Sequence, residues 1–193
     1  MTSFPTKSTR LASTAVLGAL VVVFDYALKF SGLKIPFPFF PTLKFDFTGI
    51  PIVLSYLVFG LSSGATTASI AFLGILIRSG DVIGALMKAI AEGATIAGMA
   101  LWTRRTLRRG ALLSLAFGLG LRIAVMSIAN VIVLPLFYSK YYTFEAAVLL
   151  LPLLAVFNAI QGFISIGGGF LIHQAIAGKI PLIPSTTQHT RMH

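Results

Sequence analysis

Cysteine is absent from this 193-residue sequence, and acidic side chains number only five. Without cysteine the chain can form neither a disulfide nor a thiolate metal site, and thiol catalysis is excluded. The three histidines, His173, His189 and His193, lack the spacing of metal ligands to one another. Metal and redox chemistry are therefore not expected of this chain.

Charged residues of both signs make up only 10% of the sequence, whereas hydrophobic residues make up 56%, and the mean hydropathy is +0.93. This composition leaves too little polar surface to cover a soluble globule. The apolar runs are long and rich in Leu, Ile, Val and Ala, unlike the short alternation of an outer-membrane barrel. The sequence therefore predicts an all-α integral membrane protein that consists of a single domain, 1–193.

The net charge of +10 would suggest nucleic-acid binding in a soluble protein. In a membrane protein, basic cytoplasmic loops and anionic lipid explain it more simply, so we expect a lipid bilayer and no nucleic acid as partner.

The apolar runs predict about six transmembrane helices. They cover approximately residues 11–27, 48–60, 65–77, 82–102, 111–136 and 144–177. We expect the first run to be retained as a span and not cleaved as a signal peptide, because further apolar segments follow it. The second and third runs, separated by a Ser/Gly hinge at 61–64, are short for a full crossing, which favours tilted, broken or partly immersed helices.

Residues 29–47 contain three of the nine prolines and are aromatic and basic. This density of proline prevents a regular helix and predicts a loop that lies on the membrane or dips into it. Its phenylalanines, Phe45 among them, offer stacking faces to a ligand beneath the loop. The alternative is an aromatic belt at the membrane interface.

Basic residues are distributed unequally between the two sides of a six-span topology, which favours cytoplasmic positions for both termini, the segment 1–10 and the polar tail 179–193. The cytoplasmic set is Lys7, Arg10, Arg104, Arg105, Arg108, Arg109, Lys179 and Arg191. The outer set is Lys29, Lys34, Lys44, Arg78 and Lys140, together with the acidic Asp46, Asp81 and Glu145.

Glu92 and Arg122 lie in the middle of two consecutive apolar runs, each about ten residues from the basic segment 104–109. Ionisable groups at membrane depth are costly unless they are paired or face an internal cavity. We expect the two to meet as a structural ion pair between helices, with a ligand-binding role as the alternative. Lys88, one helical turn before Glu92, either joins the pair or points toward an outward cavity.

Three amides lie on the last two apolar runs: Asn130, Asn158 and Gln161. Amides both donate and accept hydrogen bonds, so they suit the edges of a heterocycle. Together with Lys88, and with Asp46 and Phe45 of the outer loop, they are our candidate ligand-binding residues. The alternative is that the amides only bond neighbouring helices to one another.

Ala15 and Ala19 have a small-xxx-small spacing on the first apolar run, which allows another helix to approach closely. The sequence has no Walker-type phosphate loop, nucleophile elbow or HExxH motif. We therefore expect neither an enzyme nor a self-powered pump, and any energy source must come from another chain.

Four stretches give the chain a family resemblance, and together they extend over most of its length. They are AVLGA around Ala15 and Ala19, FPTLKFDFTGIP at 40–51, NVIVLPLFY at 130–138 and FNAIQG at 157–162. In these features the chain resembles the substrate-binding S components of energy-coupling factor (ECF) vitamin transporters, and most closely the riboflavin-specific type.

The resemblance implies a coupling face at Ala15 and Ala19, a first outer loop that gates an outward pocket, and ligand contacts near Asn158 and Gln161. It also implies a transmembrane coupling subunit and ATPase subunits as partners. Riboflavin-type members usually have a lysine at the position of Gln161, whereas this chain has Lys88 where an asparagine is common. An exchange of the cation between the two helices would account for both differences.

The sequence therefore predicts an S component in the cell membrane that captures a vitamin, riboflavin first, and delivers it through an ATP-driven partner. The alternatives are another vitamin, such as pantothenate or a pyrimidine precursor, and a non-transporting membrane scaffold whose buried polar groups only hold helices together.

Overall fold

The structure, a computed structural model, describes residues 6–103 and 110–177. Within these residues the chain forms seven helices and one two-stranded hairpin. In order these are α1 (Lys7–Phe30), β1 (Ile35–Phe37), β2 (Phe40–Phe45), α2 (Gly49–Phe59), α3 (Leu61–Ser79), α4 (Val82–Thr103), α5 (Gly110–Phe137), α6 (Phe144–Leu149) and α7 (Leu151–Ala177). The predicted helical membrane fold is confirmed, and the basic segment 104–109 and the tail 179–193 lie outside the described residues.

Five of the described helices, α1, α3, α4, α5 and α7, are long and apolar enough to cross a membrane. The 11-residue α2 rises only about 16 Å, roughly half the hydrocarbon thickness of a bilayer. The predicted shortness of the second run is thus present in the structure. The third run was also predicted to be short, and that prediction is wrong, because α3 has 19 residues and is long enough to cross a membrane.

The predicted Ser/Gly hinge at 61–64 is wrong, because α3 begins at Leu61. The break lies one residue earlier, at Gly60, whose φ of 86° suits glycine and whose N–H donates to the carbonyl of Tyr56. The predicted sixth run is also divided, into α6 and α7. Thr143 caps α6 by accepting the N–H of Ala146, and Pro152 lies in the first turn of α7, where proline is tolerated.

The loop predicted at 29–47 is more ordered than the sequence indicates. β1 and β2 pair antiparallel, with Ile35 opposite Phe45 and Pro36 opposite Lys44. Proline excludes a helix here, as predicted, but its fixed φ is compatible with a two-stranded ribbon that has few ladder hydrogen bonds. We call residues 35–45 the aromatic hairpin.

The chain descends from the aromatic hairpin to the middle of the bundle before α2 begins. At Gly49, the first residue of α2, the backbone lies against Ser165 and Glu92, near the midpoints of α7 and α4. The N-terminus of α2 therefore lies beside the buried Glu92 carboxylate, where the positive end of a helix dipole is favourable to an anion. Because α2 is short and begins at mid-bundle, the segment that leads into it reaches deep into the protein.

Gly49 is required for this close approach, and we expect Gly49→Ala to destabilise the protein. An added Cβ would lie 2.7 Å from both Glu92 Oε2 and Ser165 Cβ, and overpacking of this kind costs about 1–3 kcal/mol. Thermal unfolding in detergent would measure the loss. The control is Gly93→Ala on α4, where a Cβ meets no atom within 4 Å; this variant should be as stable as the parent or more so, because alanine favours helix.

Candidate functional site

Two adjoining chambers lie at one end of the bundle, beneath the aromatic hairpin, where α4 and α7 begin and α3 and α5 end. The first, which we call the apolar chamber, has a volume of about 270 Å³. Its walls include Met87, Val133, Leu154 and Phe157, and two amides, Asn130 and Asn158, border it.

The second chamber, which we call the charged chamber, has a volume of about 250 Å³. It shares Met87, Met126, Phe157 and Asn158 with the apolar chamber. Its ionisable and amide lining is Asp25, Lys34, Lys44, Asp46, Arg78, Lys88, Arg122, Asn158 and Gln161. Together the two chambers reach the size of small-molecule sites, roughly 300–1,000 Å³.

A series of ion pairs connects the centre of the bundle to Asp46, in the loop before α2. Glu92 Oε1 accepts from Arg122 at 3.1 Å and lies 3.3 Å from Lys88 Nζ. Lys88 Nζ also lies 2.8 Å from Asp46 Oδ1. The structure thus contains the ion pair expected for Glu92 and Arg122, and Lys88 takes both of its expected positions, since it joins that pair and also reaches toward the loop.

Asp46 is fixed in place by further bonds. The N–H and Oγ1 of Thr48 both donate to Asp46 Oδ1, at 3.1 and 2.7 Å. Burial raises the pKa of Asp46, but the nearby Lys88 ammonium and the hydrogen bonds from Lys88 and Thr48 outweigh burial and hold the pKa below its ordinary value. Asp46 is therefore an anion that binds the loop to α4.

Gln161 binds the same loop from the opposite side. Its Nε2 donates to the carbonyl of Asp46 at 2.9 Å, and its Oε1 accepts the N–H of Asp46 at 3.1 Å. In this conformation the side chain, 1% exposed, is used to hold the aromatic hairpin against α7. A direct ligand contact by Gln161 stays a prediction.

Among the residues that the structure describes, Asn130 and Asn158 bond neither to each other nor to a neighbouring helix. Asn130 Nδ2 donates to the carbonyl of Met126 at 2.7 Å, and Asn158 Nδ2 donates to that of Leu154 at 2.9 Å. Each bond lies within its own helix and uses one of the hydrogen bonds that an amide can form. Both side chains are therefore positioned at the chamber walls rather than used as interhelical links.

Phe157 anchors the aromatic hairpin. Phe45 stacks on it with ring centroids 4.9 Å apart, and Phe37 approaches it at 5.6 Å. Phe157 lines both chambers, whereas Phe45 lines neither of them. The structure gives Phe45 a packing contact, and its ligand contact stays a prediction.

The sequence analysis missed a second charged cluster. Asp25, 1% exposed in α1, forms an ion pair with Lys34 at 2.6 Å and another with Arg78. A carboxylate within an apolar run was the available signal. Lys34 and Arg78 were assigned to the outer side but not to a site, because sequence spacing does not show that the two converge on Asp25.

Ala15 and Ala19 are exposed on α1, whereas Gly18 between them is buried and faces Ile70 of α3. The other described residues therefore leave the small-residue face of α1 uncovered. Its use as a coupling face stays a prediction.

Both the sequence and the fold of the chain are similar to those of known proteins. Residues 9–171 match the family model described as "ECF transporter, substrate-specific component". The fold is similar to a solved structure titled "Structure and mechanism of the S component of a bacterial ECF transporter", with a TM-score of 0.76 and 22% identity over 90% of this chain and 98% of that one. A search among curated proteins gives no significant match.

Proposed function

Because the chain belongs to the family of substrate-specific components of ECF transporters, we propose that it captures a vitamin from outside the cell, with riboflavin as the first candidate. Members of this family are membrane subunits that bind a small-molecule substrate and act with an ECF module of transmembrane and ATPase subunits; they are not enzymes. The vitamin substrate, the orientation in the membrane and the transport mechanism are what we propose for this chain.

The observation that carries the proposal is the pair of chambers beneath a hairpin that is bound from two sides. Lys88 holds the side chain of Asp46, and Gln161 holds its backbone. Release of these bonds, together with the packing of Phe37 and Phe45 on Phe157, would free the hairpin without disturbing the helices behind it. This arrangement suits a site that closes over a ligand and reopens.

Riboflavin is supported by the resemblance of four stretches and by the chemistry of the apolar chamber. Its isoalloxazine edge presents both donors and acceptors, which Asn130 and Asn158 can match. Phe157 and the methionines offer apolar faces to a planar ring. Pantothenate and a pyrimidine precursor remain as alternatives within the class.

A scaffold without transport is less well supported. In that reading the buried amides would bond from one helix to another. Instead, Asn130 and Asn158 each bond to a carbonyl of their own helix, and both border a chamber.

The orientation that we propose places the chambers outside and both termini in the cytoplasm. Lys7 and Arg10 lie at the end of the bundle opposite the chambers. The connection between α4 and α5, which carries the four arginines of 104–109, joins the ends of those helices that lie away from the chambers. The positive-inside rule then assigns that end to the cytoplasm.

The mechanism that we propose has three steps. The ligand enters the chambers, the aromatic hairpin closes over it through Asp46, and the subunit reorients as a whole while bound to its coupling partner by the exposed face at Ala15 and Ala19. The ATPase subunits of the partner module supply the energy.

Mass spectrometry of the small molecule that copurifies with the protein tests the proposal most directly. Riboflavin binding would also make the preparation yellow and quench the vitamin's fluorescence. A preparation that carries no ligand and is indifferent to a panel of vitamins would favour the scaffold.

We expect Asn158→Ala to weaken ligand binding roughly tenfold, because one hydrogen bond in a buried site is lost. Isothermal titration calorimetry measures the change, and thermal unfolding should stay close to the parent. The matched control is Ser69→Ala on α3, which removes another bond to a carbonyl of the same helix at a residue that borders neither chamber. Equal affinities of Asn158→Ala and the parent would exclude Asn158 from the site.

A further inference from the structure

The charged chamber has more positive than negative groups. Five basic side chains line it: Lys34, Lys44, Arg78, Lys88 and Arg122. Two acidic side chains, Asp25 and Asp46, line it as well, and Glu92 bonds to two of the basic ones. Five formal positive charges against three negative ones leave an excess of two. Asp81, an exposed residue that accepts the N–H of Gly84, borders the apolar chamber instead.

The excess lies at the outer side of the chamber. Lys88 and Arg122 are matched in number by Asp46 and Glu92. Lys34 and Arg78, by contrast, share the single carboxylate of Asp25.

Lys44 adds a third positive charge at this side and forms no ion pair within residues 6–103 and 110–177. Three basic groups are therefore balanced by one acidic group around the same opening.

These groups retain donors for a ligand. A guanidinium carries five N–H donors and an ammonium carries three. Arg78 uses Nε and one terminal nitrogen on Asp25, and Lys34 uses one bond on the same carboxylate. The other terminal nitrogen of Arg78, together with the ammonium groups of Lys34 and Lys44 that line the same chamber, is suited to a planar carboxylate or a phosphate. Basic groups that are largely removed from water are costly without a counter-charge.

We infer that the transported ligand carries an anionic group, a carboxylate or a phosphate, which binds to Lys34, Lys44 and Arg78 in the charged chamber. The inference rests on the proposed function and narrows its substrate class. The uncharged body of the ligand then occupies the apolar chamber, which shares Phe157 and Asn158 with the charged one. Riboflavin itself is neutral, so under this inference its phosphate ester replaces the free vitamin as the first flavin candidate.

Two matched pairs of compounds test the inference: riboflavin against riboflavin 5′-phosphate, and pantothenate against its neutral alcohol, pantothenol. Each is titrated against the purified protein in phosphatidylcholine nanodiscs, where no anionic lipid competes. We expect the anionic member of one pair to bind at least tenfold more tightly, because hydrogen bonds to charged groups are the stronger ones. Its affinity should also fall as salt is raised.

Arg78→Gln should reduce that preference severalfold while Lys34 still pairs with Asp25. Lys44→Gln changes an exposed residue that has no ion pair with any other described residue, and it should act in the same direction, so the test holds even if Arg78→Gln folds poorly. The control is Lys140→Gln, which changes an exposed lysine outside both chambers and should leave the preference intact.

Equal affinity for both members of each pair, or tighter binding of the neutral one, would overturn the inference and leave the proposed function in place. Failure of all four compounds to bind would overturn the two proposed vitamins together with the inference.

Discussion

Glu92→Gln is expected to lower the free energy of unfolding by about 3–5 kcal/mol, because it leaves buried positive charge without its partner. Glu92 is fully buried, and its carboxylate contacts both Arg122 and Lys88. Arg122 is 2% exposed and retains, besides this pair, a hydrogen bond to Thr95. Thermal unfolding in detergent measures the loss.

The exposed Glu145 on α6 provides the matched control, and Glu145→Gln should unfold at the temperature of the parent. The double variant Glu92→Gln/Arg122→Gln should recover part of the loss, because it removes the unpaired charge along with its partner. In the single variant, ligand affinity should change less than stability. The reverse ranking would show that Glu92 contacts the ligand.

Ala15→Trp is expected to abolish uptake while ligand affinity and thermal stability stay at the level of the parent. Ala15 is exposed on α1, lines neither chamber and lies on a face that the other described residues leave uncovered. A partner helix that approaches closely at small residues would be held away by the indole ring. Transport of labelled ligand into cells or proteoliposomes that contain the complete module measures the effect.

Ala124→Trp is the control for this experiment, because Ala124 is an exposed alanine on a different helix, α5. A tryptophan there should face lipid and leave uptake unchanged. Normal uptake by Ala15→Trp, or equal losses in both variants, would remove the coupling face from α1.

Local patterns in the sequence predicted much of the fold correctly. The apolar runs located the five long helices, and the shortness of the second run anticipated a helix that does not cross the membrane by itself. Boundaries were less accurate at 61–64 and near residue 150. At 61–64 a single glycine with positive φ ends α2, and near residue 150 the helix is interrupted just before Pro152. Runs of hydrophobic residues do not register such details.

Predictions of contacts depended on how far apart the partners lie along the chain. Glu92 and Lys88 share a helix face, so their proximity follows from helical spacing. The bonds between Gln161 and the backbone of Asp46 join residues 115 positions apart. These bonds form only because the chain descends from the aromatic hairpin into the bundle. No pattern along the sequence indicates that descent.

The sequence by itself determined that this protein lies in a membrane as a helical bundle. Its composition provides too few polar residues to cover a soluble protein, and its apolar runs are long enough to form transmembrane helices. The tertiary structure alone decided which ionisable groups meet across long stretches of sequence: it placed Asp25 beside Arg78, and Asp46 beside Lys88. The physical reason is that a buried charge is stable only beside a partner of opposite charge, but burial does not specify which residue that partner is. That choice is made by the packing of helices and by the depth at which α2 begins.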